Sequence, residues 1–277
     1  MKKIKIIIFL FAFFFLPYLY ATDYNYIDFY PNIDPVKDFV DSFVMKMNKL
    51  NINIINLRDK KVFNNSNEIL KALQSGTIQI ALVPAYTINN NLNYPLSEIF
   101  FLKMKTISDE LMISFREKLM EYGIFLLDIY PLGAYSIYSK NKIKKDNTVL
   151  GVFIKTKNFF KKFSNIVIID DSANVKNLIK KDIINAIFTP DFFLYTNNLI
   201  DADLSYKYKL KNINSYLMIV ANSSFWKNLD YNQKSIIWSF IINYEKKYIK
   251  NFLKFKIYID NLISQKLLIL NFRDIIH

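Results

Sequence analysis

Few residues in this chain can carry chemistry. Among 277 residues there is one histidine, His277 at the last position, and no cysteine. Cysteine nucleophiles, histidine-based triads and His/Cys metal sites are therefore closed to it. The sequence holds no Gly-x-Ser-x-Gly elbow, no glycine-rich phosphate loop and no dinucleotide fingerprint. Asp170 and Asp171 are adjacent. On a strand they would point to opposite faces, and in a loop they cap the helix that follows. A carboxylate-only hydrolase is the competing catalytic reading. The residues favour recognition without reaction: no enzyme, no cofactor and no metal are expected.

Recognition needs polar groups at the mouth of a cleft, and a strand's carboxyl end is where an α/β sheet offers them. Tyr30 follows the β-prone run NYIDFY, Tyr86 follows ALVPA, and Asn222 closes NSYLMIVAN. Thr189 and Asp191 flank Pro190 after AIF. Each has a plainer alternative. Asn222 suits a helix cap before SSFW, the tyrosines suit packing in a chain with 19 of them, and Thr189 suits a turn. Trp226 and Trp238 read as packing anchors of the long C-terminal helix.

The elements that must hold these groups alternate. After NYIDFY comes a helix in which Val36, Phe39, Val40, Phe43, Val44 and Met47 recur at helical spacing, with Asp34 as expected cap and Pro35 at its first position. INIINL is the next strand. Asn65 and Glu68 are spaced as a capping box for a helix ending at Gly76, and IQIALVP is a buried strand. This β-α-β-α-β order implies parallel strands joined by right-handed crossovers. A helix from about Asp109 to Tyr122, capped by Ser108 and stopped by Gly123, leads to the strands IFLLDIY and AYSIYSK, and VFI is read as another strand. NIVIID, the helix SANVKNLIKKD, INAIF and the strand Asn214–Asn222 follow. From Tyr231 to about Lys266 nothing interrupts a helix, which at 1.5 Å per residue is roughly 54 Å long and must cross more than one domain.

The expected fold class is therefore α/β, two lobes with a long C-terminal helix spanning both. The expected parts are a signal peptide at 1–21, lobe I at 22–127 plus about 212–250, lobe II at 128–211, the spanning helix at 231–266 and a tail at 267–277. Such lobes close around a ligand by hinge motion.

The first 21 residues read as an export leader. Lys2, Lys3 and Lys5 precede about eleven apolar residues, too few to span a bilayer that needs roughly 20. Cleavage is expected after Ala21, with an uncleaved anchor as the alternative. The net charge is +13, and without those three lysines +10. The lysines are spread along the chain with no arginine-rich arm or aromatic-basic module, so solvated lysine faces are expected rather than nucleic-acid binding.

Four stretches in order resemble the solute-binding proteins of tripartite ATP-independent periplasmic (TRAP) transporters. They are EILKALQSGTIQIALVPAYTI, YPLSEIFFL, LMEYGIFLLDIYPLGAYSIYSK and NSSFWKNLDYNQKSIIWSFI. All four glycines fall where this family usually has one. The resemblance implies that the stretch after Gly151 should carry an arginine that clamps a ligand carboxylate. Counted from Gly151 that position holds Lys155, a point charge without the guanidinium fork. The glycine is expected to allow a tight entry to the strand. A further family arginine after Gly133 is replaced by Ala134 and Tyr135, and the family's turn Gly-x-Val-Asp-Gly reads DIINA, which puts Asn185 at the aspartate position. The implied function is a diverged receptor that closes on a small anionic solute and delivers it to membrane permease subunits. The alternatives are an interaction or sensor subunit with a degenerate cleft, and a receptor of an ATP-driven importer.

Overall fold

The computed structural model describes residues 25–92, 109–144, 146–153, 163–169 and 174–272. Residues 1–21, expected as an export leader, and Ser108, Lys155, Asp170, Asp171 and His277 lie outside them. Strand β1 (Asn25–Phe29), helix α1 (Asp34–Lys49), β2 (Ile54–Asn56), α2 (Ser66–Gln74) and β3 (Ile80–Pro84) form the first β-α-β-α-β run. In α1 the buried residues Val36, Phe39, Val40, Phe43 and Met47 keep the expected helical spacing. Asp34 is not its cap. The helix begins at Asp34, and Ile33 precedes it without a side-chain capping bond. Asn65 does cap α2, its side chain accepting from the Glu68 N–H at 3.0 Å.

Next come α3 (Ala85–Leu92), α4 (Asp109–Met120), β4 (Ile124–Ser139), β5 (Val149–Val152), β6 (Asn165–Ile168), α5 (Val175–Lys180) and β7 (Ala186–Pro190). The chain ends with α6 (Asp191–Thr196), β8 (Tyr206–Asn222), α7 (Ser223–Asn228), α8 (Tyr231–Lys266) and β9 (Leu268–Asn271). The strands share one sheet in the order β2-β1-β3-β8-β4-β7-β5-β6, and β9 pairs with β8. In lobe I, β1 pairs in parallel with β2 and β3; in lobe II, β5 pairs in parallel with β6 and β7.

The lobes are joined by two long antiparallel strands. β4 and β8 pair from Ile124↔Asn222 to Ser139↔Tyr206, with register breaks between Leu126 and Asp128, Pro131 and Gly133, and Ala134 and Ser136. Sequence reading splits β4 into two strands and starts β8 at Asn214, but both run through. The expected lobe limits, 127/128 and 211/212, fall inside these strands, so the chain changes lobe within paired backbone and not in a linker. The breaks concentrate bending and twist where the lobes meet. Gly133 takes φ +107, which only glycine adopts without strain, and the Phe252 ring would lie 3.5 Å from a Cβ there.

Helix α8 has the expected limits and spans both lobes. Phe240 and Tyr244 pack edge-on against Phe39 of lobe I. Midway, the Tyr248 hydroxyl donates to the Pro131 carbonyl at 3.0 Å. Farther on, Asp260 lies 3.6 Å from Lys207 of lobe II. Trp238 of α8 meets Phe125 edge-on, as expected of a packing anchor, whereas Trp226, which stacks on the same ring, belongs to the separate helix α7. The residues after α8, expected as a tail, form β9 beside Tyr206–Lys209.

Candidate functional site

β1 and β3 run in parallel and end together at Phe29 and Pro84, so Tyr30 and Tyr86 stand at the same edge of lobe I. β5 and β7 likewise end together, Val152 beside Phe188, so Phe153 and Thr189 stand at the facing edge of lobe II. The hinge strands bring these edges together, because Pro84 pairs with Leu217, Leu217 with Tyr130, and Pro190 with Tyr135. The crevice therefore opens outside the carboxyl ends of the strands of both lobes.

Its walls touch. The Tyr86 ring lies 6.1 Å from that of Phe153, and Phe153 packs on Phe193 at 4.6 Å. The Asn90 side-chain amide donates to the Phe153 carbonyl. Tyr135 stacks on Phe188 at 4.7 Å. Tyr30 packs against the side chains on the α2 face of lobe I. Thr189 is fully buried, and its hydroxyl has no hydrogen-bond partner among the described residues. Ser215, at the hinge opposite Gly133, has the same status. A buried hydroxyl without a partner is costly, on the order of 1–3 kcal/mol.

Charged groups near this edge serve the frame. Asp191 begins α6 and accepts from Lys207 Nζ at 2.7 Å, from Ser136 at 3.3 Å and from the Tyr138 hydroxyl. Asp28, one strand residue before Phe29, is fully buried: one carboxylate oxygen accepts the Phe29 N–H at 2.7 Å and the other has no partner among the described residues. Burial raises its pKa to about 6, against smaller lowering by that N–H and by Arg58, 4.0 Å away. The arrangement combines aromatic walls with hydroxyls and one amide, which donates across the crevice to the Phe153 carbonyl. Among the described residues no group of three or more His, Cys, Asp or Glu is placed to hold a metal ion, and no helix is long and apolar enough to cross a membrane.

Comparison with solved structures finds the same architecture. A solute-binding protein from Haemophilus influenzae with bound L-gulonate superposes with a TM-score of 0.74 over 90% of this chain and 87% of that one, at 15% identity. A Bordetella pertussis extracytoplasmic solute receptor binding pyroglutamic acid gives 0.72 over 90% and 87%, at 14% identity. A Pseudomonas aeruginosa solute-binding protein with bound L-malate gives 0.74 over 90% and 92%, at 11% identity. The first and third are TRAP periplasmic proteins. This chain has the TRAP receptor fold. No protein-family model and no curated protein matches the sequence.

Within the TRAP receptor fold, the residues expected from sequence separate into two groups. Tyr86, Thr189 and Tyr135 lie where the strand ends and hinge meet, while Tyr30 stands at the same lobe I edge but packs on the α2 side. Asn222 is remote from them. It pairs with Ile124 and lies at the amino end of β3, the side of lobe I away from the crevice. Its side chain caps α7 by accepting from Phe225 N–H at 3.0 Å and donates to the Leu73 carbonyl at 2.9 Å. Asn185 is likewise remote, at the amino end of β7, where it accepts from Val149 N–H at 2.9 Å and donates to Asn147 O at 2.8 Å. Strand direction explains both. β8 runs antiparallel to β3, so its carboxyl end faces outward, and position 185 precedes its strand. Lys155 lies outside the described residues, in the stretch after β5, which ends at the crevice.

Sequence reading missed Asn90 and Phe153. Asn90 lies one turn after Tyr86 on α3, a spacing that puts both on one face. Gly151 has no positive φ, contrary to a tight-entry role. A Cβ there would come within 2.5 Å of Ile169 and 2.9 Å of Ile184, so glycine makes room for neighbouring side chains.

Proposed function

We propose that this protein is a diverged TRAP-type solute receptor of the periplasm that closes its lobes on a small anionic organic acid and delivers it to membrane permease subunits. One observation carries the reading: two facing sets of strand ends, joined by two continuous strands and one long helix, form a crevice whose walls meet through Tyr86, Asn90 and Phe153. The solute-bound structures of the same fold hold pyroglutamate, L-gulonate and L-malate, all carboxylic acids. Lys155 supplies the charge, from the stretch that follows β5. Tyr86, Tyr30, Tyr135 and Thr189 supply hydroxyls for orientation. No reaction is assigned to the site.

Calorimetric titration of the mature protein with a panel of organic acids tests this. A binding acid is expected, and Lys155→Ala should weaken it by about 10- to 100-fold, the worth of a charge-assisted contact. An unchanged affinity removes Lys155 from the site, and a panel without any hit counts against the anionic solute.

A further inference from the structure

The outward face of α8 is unlike the rest of the surface. Between Ile242 and Tyr258 its buried residues are Tyr244, Tyr248, Phe252 and Phe255. At 100° per residue the opposite arc holds Lys246, Lys247, Lys250 and Lys254 together with Ile242, Leu253 and Ile257. Those three apolar side chains are 57, 51 and 61% exposed. The run is about 24 Å long.

None of the four lysines forms an ion pair among the described residues. The one carboxylate within the run, Glu245, is exposed but stands 60° round the helix from the buried Tyr248, on the flank and not on the lysine arc. Of the flanking acids, Asp260 is already paired with Lys256 and Lys207, and Asp38 on α1 accepts from Asn251 at 3.2 Å. Beside the stripe, α1 and the first half of α8 enclose a groove of about 500 Å³ lined by Leu50, Ile236 and Phe240 with Lys46 and Lys247.

We propose that this face of α8 docks on an anionic lipid surface. The lysines meet phosphate headgroups, the exposed Ile242, Leu253 and Ile257 enter the interfacial layer, and the groove accepts part of one acyl chain. An exposed helix face that combines lysines with large aliphatics, its one carboxylate set on the flank, has the pattern of an interfacial helix. The net charge, +10 without the three lysines of residues 1–21, adds long-range attraction to the same partner. Such docking would hold the receptor in the plane where a membrane partner is found.

The test is co-sedimentation of protein lacking residues 1–21, a cut that removes no described element, with phosphatidylglycerol-containing vesicles and with phosphatidylcholine vesicles. Binding is expected only to the anionic vesicles and should fade as salt is raised. Lys246→Glu, Lys250→Glu and Lys254→Glu together should lower partitioning by on the order of 100-fold, at roughly fivefold per lysine. Leu253→Ser with Ile257→Ser should weaken binding while keeping its salt dependence. Circular dichroism should show both variants folded. No binding to anionic vesicles, binding unchanged by both variants, or a dimer that the Leu253/Ile257 variant dissociates would each overturn the proposal.

Discussion

Asp128 holds its charge where the fold makes it expensive. It sits at the first register break of β4, and its carboxylate accepts only the Ile129 N–H, at 2.8 Å, in the hydrogen bonds of the described residues. Burial raises its pKa from 3.8 to about 6; the charge of Glu245 adds to the rise, while the N–H and Arg116 oppose it. Arg116 is spent mainly on the frame, donating to Leu126 O at 3.0 Å and Leu127 O at 3.1 Å and lying 4.8 Å over the Trp238 ring. Asp28 is raised to about 6 as well, with burial the leading cause. The folded state thus holds both protons more tightly than the unfolded chain. Stability from these groups is full below about pH 4 and is lost as pH rises through 6. The unfolding temperature should therefore climb as pH is lowered from 7 toward 4.5. Asp128→Asn keeps an acceptor for Ile129 and removes the charge, so it should stabilise the protein at pH 7 by on the order of 1 kcal/mol and flatten that slope. Thermal melts across this pH range decide it. A variant with the wild-type slope would mean that Asp128 is ionised without penalty.

At the scale of elements, what could be read in advance depended on whether the signal was local. Helix α8 was legible from end to end because 36 residues without glycine or proline leave no place to stop it. The parallel units of each lobe were legible too, since apolar runs alternate with capped helices. The continuity of β4 and β8 was not. Pro131 and Gly133 look like a strand break, and only continued pairing with β8 on either side shows a register break within one strand. The direction of β8 was equally hidden, which is why Asn222 looked like a crevice residue and turned out to cap α7. The places of Tyr30 and Tyr86 followed from strand ends and that of Tyr135 from the resemblance, but Asn90 and Phe153 owe their place to the meeting of lobes far apart in sequence. Gly151 shows the same limit within β5: its reason lies in Ile169 and Ile184, not in its own backbone. Gly151→Ala should cost about 1–3 kcal/mol by overpacking. Ile169→Val removes the methyl 2.5 Å from the added carbon, so adding it should restore part of the loss. Denaturant unfolding of the two single variants and the double variant measures the coupling, which should be favourable by about 0.5 kcal/mol or more. Additive losses would place the strain elsewhere.

For the whole molecule the question is what holds the two lobes in contact. β4, β8 and α8 set the path of closure but pass through the hinge, so they favour neither the open nor the closed arrangement by cross-crevice contact. Among the described residues, the contacts that cross include Tyr86 on Phe153 and the Asn90 amide on the Phe153 carbonyl, with Phe193 behind. These meet at Phe153, which is 3% exposed. Phe153→Ala removes the aromatic plug, leaves the backbone carbonyl, and takes away much of what favours closure. Opening lowers the fraction of molecules ready to hold a solute, and apparent affinity falls by that same fraction. Solution scattering should thus show a radius of gyration above that of the native protein, itself near the roughly 18–19 Å of a compact chain of this length. The change should be on the order of 1 Å, and addition of a binding acid should partly reverse it. If the variant scatters as the native protein does, the hinge strands and α8 alone hold the lobes together, and the aromatic contact is a consequence of closure.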